Sequence, residues 1–183
     1  MKKNSFVILI LGLLIGFVCG YTYYEENLPS VFSSTTESPK LSVCFSPEGQ
    51  CEKLVLHAIN SAEKEILVQC YSFTSKAISL SLMKAYERGI KVKILFDRSQ
   101  LKAPYSQIHR LTKFGIETAV DNTKGIAHNK VIIIDGKRII TGSYNFSNAA
   151  NYRNAENMLY VQDQRLANIF KKKWGQRYVS SVN

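Results

Sequence analysis

Acidic residues are scarce in this sequence of 183 residues, which has 14 Asp and Glu against 24 Lys and Arg and a formal net charge of +10. Positions 1–40 hold three residues of each sign, so residues 41–183 hold 21 basic and 11 acidic residues and carry the whole excess. A positive surface of this kind attracts polyanions, either nucleic acid or anionic lipid headgroups. Charge alone leaves open that the protein binds neither, as is true of many basic proteins.

Long apolar runs are also lacking. Phe6–Val18, which follows the basic start Met1–Lys3, has 13 residues and would span only ~20 Å as a helix, short of the ~30 Å hydrocarbon core. This layout is typical of a secretory signal peptide. Extension through Tyr21–Tyr24 would instead give an uncleaved membrane anchor with an aromatic belt. Both alternatives for residues 1–24 predict an extracytoplasmic domain, either periplasmic or secreted.

Cysteine is rare, with four residues in the chain. Cys19 lies in the targeting segment, and Cys70 lies in an apolar run that predicts a buried thiol. Cys44 and Cys51 flank a Pro-Glu-Gly turn, and an oxidising compartment could join them. Two unpaired thiols remain the alternative, because sequence spacing does not fix the distance between their Cα atoms.

The rest of the chain has the pattern of one domain preceded by a tether. Residues 25–40 are rich in Ser, Thr, Pro and Glu and are predicted to be a linker, and residues 41–183 suit a domain with a single core. Apolar periodicity predicts strands at Leu41–Phe45, Glu65–Tyr71, Lys91–Phe96, Ile116–Val120, Val131–Ile134, Arg138–Thr141 and Met158–Val161. It predicts helices at Gln50–Asn60, Ser75–Arg88, Pro104–Phe114 and Gln164–Tyr178. The alternation predicts a layered α/β domain, whose central sheet is mixed because Asp135-Gly136 signals a hairpin.

One segment combines residue types that suggest catalysis. It has the pattern H-x-K-x4-D, followed after six residues by G-S-x-N, with its polar residues at His128, Lys130, Asp135, Ser143 and Asn145. The His, Lys and Asp spacing alone would arise by chance in on the order of one per cent of chains this long. The added G-S-x-N element makes coincidence a poor explanation.

The chemistry of these residues suits a phosphodiester. His128 and Lys130 leave the same face of an extended chain, at the start of a buried strand that mounts them rigidly. We expect His128 to attack phosphorus while a second histidine protonates the leaving oxygen. Lys130, the Ser143 turn and the Asn145 amide are the candidate phosphate-binding groups. No carboxylate cluster accompanies them, so no metal and no cofactor are predicted.

These motifs resemble those of the phospholipase D superfamily. The flanking segments Cys44–Gly49, Tyr71–Thr74, Arg88–Val92 and Asn154–Asn157 resemble its small secreted bacterial endonucleases, over roughly Leu41–Trp174. The resemblance implies a metal-independent phosphodiester hydrolase with a covalent phosphohistidine intermediate. It also implies that Glu156 hydrogen-bonds and orients the catalytic imidazole. The predicted catalytic set is therefore His128, Lys130, Asp135 and Glu156, with Asp135 expected to organise the site rather than to react, since Asp-Gly is first a turn signal.

A second copy of the motif is missing from the sequence. His57 and His109 lie in helix-like contexts without a following Lys-x4-Asp pattern and are predicted to be structural. The mechanism needs two histidines, and small members of the superfamily supply them by homodimerising. The resemblance therefore implies a homodimer with the active site at its two-fold interface.

The substrate remains open between two classes. Net charge and the endonuclease-like flanks favour DNA or RNA, cleaved with little sequence preference. Mitochondrial cardiolipin-hydrolase-like members share the single motif, so phosphatidylcholine or cardiolipin is the alternative. An apolar loop beside the site would favour lipid, but Leu101–Tyr105 and Thr123–Ala127 are short and only mildly apolar. The intact motif argues against a third alternative, a binding protein with a decayed site.

Overall fold

The computed structural model describes residues 39–182. The signal peptide or anchor predicted for residues 1–24 lies outside this range, as does nearly all of the predicted linker. Within residues 39–182, no helix is long and apolar enough to cross a membrane.

The described chain alternates strands and helices. The strands are β1 (Lys40–Ser46), β2 (Glu65–Cys70), β3 (Lys91–Phe96), β4 (Glu117–Val120), β5 (Lys130–Ile134), β6 (Arg138–Gly142) and β7 (Glu156–Gln162). The helices are α1 (Cys51–Asn60), α2 (Lys76–Glu87), α3 (Ile108–Lys113), α4 (Asn148–Tyr152) and α5 (Gln164–Val182), with a 3-10 turn at Arg98–Leu101.

All seven strands form one sheet in the order β1-β7-β6-β5-β2-β3-β4. The pairs β2–β3 and β3–β4 are parallel, and the other four pairs are antiparallel. The predicted α/β class with a mixed central sheet is confirmed. Asp135 and Gly136 have φ values of 55° and 63°, the left-handed conformation that a two-residue hairpin turn requires, so the predicted hairpin is also present.

The sheet is buried on both faces near its centre. All five residues of β5 are buried, and successive isoleucines point to opposite sides: Ile132 packs in the core beneath α1 and α2, and Ile133 in the core beneath α5. Trp174 is buried in the core beneath α5, and its indole N–H donates to Val68 O at 2.9 Å. A strand held on both faces cannot shift its register without exposing apolar side chains, which makes β5 a rigid mount.

Two local predictions were inaccurate. The helix predicted over Pro104–Phe114 is confined to α3, because Tyr105 takes a positive φ of 65° and the Gln107 N–H donates to Phe73 O instead of a helical carbonyl. The short helix α4 was not predicted. It begins where the Ser147 hydroxyl accepts the Ala150 N–H, a cap signal within a segment too short to show periodicity.

The cysteine alternatives are resolved in favour of a disulfide. Cys44 and Cys51 are bonded, with their Cα atoms 5.6 Å apart, and join the end of β1 to the start of α1. Cys70 is a free, buried thiol, as predicted.

Candidate active site

Most of the predicted site residues lie along one edge of the sheet. β5 runs antiparallel to β2, so the start of β5 lies beside the end of β2, with Lys130 opposite Cys70. The alternating directions of the next strands bring the end of β6 and the start of β7 to the same edge, where Gly142 pairs with Met158. His128, Lys130, Ser143, Asn145 and Glu156 are therefore brought to the same edge of the sheet, which we call the active edge.

His128 is exposed. Its position is fixed by contacts of the neighbouring backbone and of its ring face, and its ring nitrogens form no hydrogen bond among the described residues. Tyr71, the first residue after β2, donates its N–H to Asn129 O at 2.8 Å. The Tyr71 ring also packs against the imidazole, with the ring centroids 4.5 Å apart. From the sequence, Tyr71 was predicted only as the end of a strand and as part of the resemblance, and not as a site residue. The signal that could have found it is its place directly after a buried strand that pairs with β5.

Lys130 is 5% exposed, which is unusual for a lysine. Its ammonium donates to His128 O at 3.0 Å and lies 5.1 Å from the centre of the Tyr71 ring. Burial lowers the pKa of Lys130, and the nearby Glu156 carboxylate and Cys70 act in the opposite direction. The arrangement holds a cation with little water around it against the backbone of His128, where it would attract an anion more strongly than in solvent.

Ser143 and Glu156 form a pair. The Ser143 hydroxyl donates to Glu156 Oε2 at 2.6 Å and accepts the Asn157 N–H at 3.0 Å, and Asn154 donates to the other Glu156 oxygen at 3.0 Å. The Ser143 N–H donates to Asn157 O at 3.0 Å. Ser143 therefore has its donors engaged within the chain, and it positions Glu156 rather than presenting a free donor to phosphate.

Glycine precedes Ser143 for a steric reason. A Cβ at Gly142 would lie 2.3 Å from Asn157 O, so any side chain there would push β6 away from β7. The glycine lets the two strands approach closely enough for the Ser143 and Glu156 side chains to meet. Across residues 39–182, no hydrogen bond joins Glu156 to His128, although the resemblance implied one; Glu156 acts on Lys130 through its charge.

The side-chain amide of Asn145 includes an atom without a hydrogen-bond partner. Its Oδ1 is buried without a hydrogen-bond partner among the described residues. A buried polar atom without a partner is costly, and such atoms in native proteins commonly await a ligand. An amide oxygen only accepts hydrogen bonds, so this Oδ1 cannot itself bind a phosphate oxygen, and of the predicted phosphate-binding groups the buried Lys130 ammonium is the best placed.

Asp135 is not at this edge. It follows β5, whereas His128 precedes it, so roughly 17 Å of extended strand separates Asp135 from Lys130. Its carboxylate accepts the backbone N–H groups of residues 63, 64 and 65 at 2.7–3.2 Å and pairs with Arg138 at 2.5 Å. Burial acts to raise the pKa of Asp135, but these hydrogen bonds outweigh it and lower the pKa. The grouping of Asp135 with the catalytic residues is corrected: it fastens the β5–β6 hairpin to the loop before β2.

Titratable groups elsewhere in residues 39–182 do not match the ligand sets that hold metal ions. Within residues 39–182, no group of three or more His, Cys, Asp and Glu side chains is placed to hold a metal ion. His57 and His109, on α1 and α3, are exposed on the helix surfaces.

Comparisons with known proteins agree with this geometry. Residues 55–177 match the family model described as cardiolipin synthase, PLD-like domain. A phospholipase D of Rickettsia bellii is 41% identical over 192 residues, covering 94% of this chain and 95% of the relative. A mitochondrial cardiolipin hydrolase of Canis lupus familiaris is 30% identical over 128 residues, covering 69% of this chain and 50% of the relative.

A solved structure shares the fold. The crystal structure of Nuc, a phospholipase D family member from Salmonella typhimurium, superposes with a TM-score of 0.75 and 36% identity, covering 79% of this chain and 97% of Nuc. The family model covers more than half of the chain, and the motif residues meet at one edge of the sheet. The chain therefore belongs to the phospholipase D superfamily of phosphodiesterases.

Proposed function

We propose that the protein hydrolyses phosphodiesters without a metal, through a covalent intermediate on His128. An imidazole nitrogen attacks phosphorus, the bond to the leaving oxygen breaks, and a second histidine protonates that oxygen. The same second histidine then removes a proton from water, which attacks phosphorus, breaks the P–N bond and restores His128. The Lys130 ammonium and the Nδ2–H groups of Asn145 stabilise the charge on the non-bridging oxygens. The buried Lys130 cation, hydrogen-bonded to the backbone of the exposed His128, is the observation that carries this mechanism.

The second histidine comes, in this proposal, from another copy of the chain. β1 is an edge strand, and its residues Leu41, Val43 and Phe45 are 61%, 54% and 62% exposed on one side of the sheet. We call these three residues the β1 apolar face. An edge strand with exposed apolar side chains favours pairing or packing with another chain. The face ends at the active edge, because Phe45 pairs with Asn157, next to Glu156. A second copy packed on this face would lie next to the active edge and could bring its own His128 there.

Val43→Lys is expected to turn a dimer into a monomer and to lower activity at least ~100-fold at protein concentrations where it is monomeric. Light scattering after gel filtration measures the mass, and hydrolysis is assayed on the same fractions. Leu80→Lys is the matched control, since Leu80 is an exposed apolar residue on α2, across the sheet from the β1 apolar face. A fully active wild-type monomer would rule out the dimer.

Nucleic acid is the substrate we propose first, with low sequence specificity. The loops around His128 expose three cations, Arg98, Lys102 and Lys124. The two carboxylates at the ends of β3 and β4, Asp97 and Asp121, are each 1% exposed and are engaged in hydrogen bonds. The active edge therefore presents positive charge to solvent, which suits binding of a phosphate backbone. Contacts to that backbone do not distinguish one base sequence from another.

Phospholipid is the second candidate, and separate observations favour it. The relative that is 41% identical carries the name phospholipase D. Ile126, two residues before His128, is 63% exposed, and Tyr105 is 84% exposed. Apolar and aromatic side chains on such loops are the kind that enter a lipid interface.

A single panel separates the two substrates. The purified protein is given plasmid DNA, RNA, and phosphatidylcholine vesicles with and without cardiolipin, all in excess EDTA. We expect nucleic acid to be cleaved and headgroup release to be at least ~10-fold slower. Lys124→Ser and Ile126→Ser are a matched pair on one loop: the first should weaken nucleic-acid cleavage, and the second should affect only vesicles. Faster vesicle hydrolysis would reverse the substrate order, and a requirement for added metal would refute the mechanism.

We also propose that the domain works outside the cytoplasm. The Cys44–Cys51 disulfide supports this, because such bonds persist in oxidising compartments. N-terminal sequencing of protein recovered from the exported fraction would distinguish cleavage of residues 1–24 from retention as an anchor, and purely cytoplasmic recovery would contradict the proposal.

A further inference from the structure

Asp97 is a buried carboxylate that the mechanism above does not use. It follows β3, is 1% exposed, and is fixed in place because its own N–H donates to Cys70 O at 3.0 Å. Its two oxygens accept from different segments: Oδ1 from the Ser99 N–H at 2.9 Å, and Oδ2 from the Ala127 N–H at 2.6 Å. Ala127 is the residue before His128, so Asp97 joins β3 directly to the catalytic segment.

The chain is thereby held on both sides of His128. Ala127 is held by Asp97 at the end of β3, and Asn129 by the Tyr71 N–H at the end of β2. Among the described residues, nothing hydrogen-bonds the imidazole ring itself, which packs against Tyr71. The direction of the imidazole therefore depends on these two backbone attachments together with its packing against Tyr71.

We infer that Asp97 is the positioning residue for His128, holding the Ala127 peptide so that the imidazole points along the active edge. The inference rests on the proposed role of His128 as nucleophile. Displacing a reacting group by about 1 Å can cost ~100-fold in rate, so a small loss of order at Ala127 is enough to matter.

The chemistry of the residue fits this role. The two N–H donors reach different oxygens of Asp97, and in a carboxamide one of those two positions would be an NH₂ group, which donates and would face a donor. Burial acts to raise the pKa of Asp97, but the hydrogen bonds from Ser99 and Ala127 and the charge of Arg98 outweigh it and lower the pKa. Asp97 is therefore ionised at neutral pH and accepts both bonds.

The test compares Asp97→Asn with Asp121→Asn in the full chain, using bis(p-nitrophenyl) phosphate as a small phosphodiester probe. Asp121 is also 1% exposed and accepts the Thr123 N–H at 2.9 Å, but it pairs with Arg177 on α5, and none of its hydrogen bonds among the described residues goes to residues 127–129. Asp97→Asn should lower kcat roughly 30-fold with KM within about twofold, in the range seen when groups that orient a reacting side chain are removed. Asp121→Asn should lower the melting temperature at least as much while kcat stays within about twofold of wild type.

A second readout does not depend on turnover. The chain has three histidines, so His57 and His109 serve as internal references in an NMR spectrum of the imidazole resonances. Asp97→Asn should shift or broaden the His128 resonances alone and speed hydrogen exchange at the Ala127 amide. If that variant does not fold, replacing Ala127 with lactic acid removes the N–H that Asp97 accepts and should shift or broaden the His128 resonances in the same way.

The outcomes separate the two hypotheses. An inactive wild-type chain, or activity that survives loss of His128, would defeat the proposed function, and the NMR result would still decide the role of Asp97. Unchanged His128 resonances in Asp97→Asn, or an equal loss of kcat in Asp121→Asn, would overturn the inference about Asp97.

Discussion

Replacing His128 with asparagine is expected to lower phosphodiester turnover by on the order of 10⁵-fold, as for other enzymes that lose a nucleophile. In the proposed dimer, one substitution removes both the nucleophile and the general acid, because both are copies of His128. Asn145 and Lys130 remain, so binding of a phosphodiester should change little and KM should stay close to that of wild type. The measurement is steady-state hydrolysis in excess EDTA.

Folding should be preserved in this variant. His128 is exposed, and no ring hydrogen bond is lost, so we expect a melting temperature within about 2 °C of wild type. His57→Asn and His109→Asn are the controls, since both residues are exposed on helices, and both variants should keep full activity. If either control lost as much activity as His128→Asn, the assignment of the nucleophile would be wrong.

A trapping experiment tests the covalent step directly. Wild-type protein quenched in base during turnover of a labelled phosphodiester should retain label on His128, and acid should release it, because P–N bonds of phosphohistidine are labile in acid. His128→Asn should retain none. Activity without a trappable adduct, combined with inversion at a chiral phosphorus, would favour direct attack by water instead.

The sequence predicted the sheet well because strand signals are local. The four consecutive β-branched residues of β5 can only be buried on both faces, and the structure places Val131–Ile134 there. The hairpin was equally predictable, since Asp135-Gly136 suits a turn that needs positive φ at both positions.

Contacts between distant segments were not predictable in the same way. Asp135 accepts hydrogen bonds from residues 63–65, about 70 positions earlier in the chain. No local sequence pattern around Asp135 indicates those partners. The same applies to Asp97 and Tyr71, whose relation to His128 depends on β2 lying beside β5 and β3 lying beside β2. Ser143 looked like a phosphate ligand because the motif is read along the chain, whereas its partner Glu156 comes from the next strand.

Lys130→Met is expected to separate activity from stability. Methionine has nearly the length of lysine and fills the same space without the charge. Loss of a cation that stabilises phosphate oxygens in a water-poor site should lower kcat on the order of 10³-fold. The matched variant Lys102→Met, which removes an exposed cation from a loop at the same edge, should reduce cleavage of nucleic acid only a few-fold.

The stability of Lys130→Met should stay equal or rise, whereas its activity falls. Burial lowers the pKa of Lys130, which means that the native fold disfavours its charged form despite the attraction of Glu156. Replacing a buried charge with an apolar group of similar volume is often neutral or stabilising. We therefore expect the melting temperature of Lys130→Met at neutral pH to equal that of wild type or exceed it by up to about 5 °C.

The direction of the Lys130 pKa shift predicts how the stability difference between wild type and Lys130→Met changes with pH. Because the folded-state pKa lies below the ordinary lysine value of 10.5, charged Lys130 destabilises the wild-type fold at neutral pH, and the penalty disappears as pH rises through the folded-state pKa toward 10.5. The advantage of Lys130→Met should shrink over that range. Thermal melts of both proteins from pH 7 upward measure it. A variant that is markedly less stable at pH 7 would show that Lys130 holds the fold together, whereas the expected result shows a cation kept at this edge for catalysis at the expense of stability.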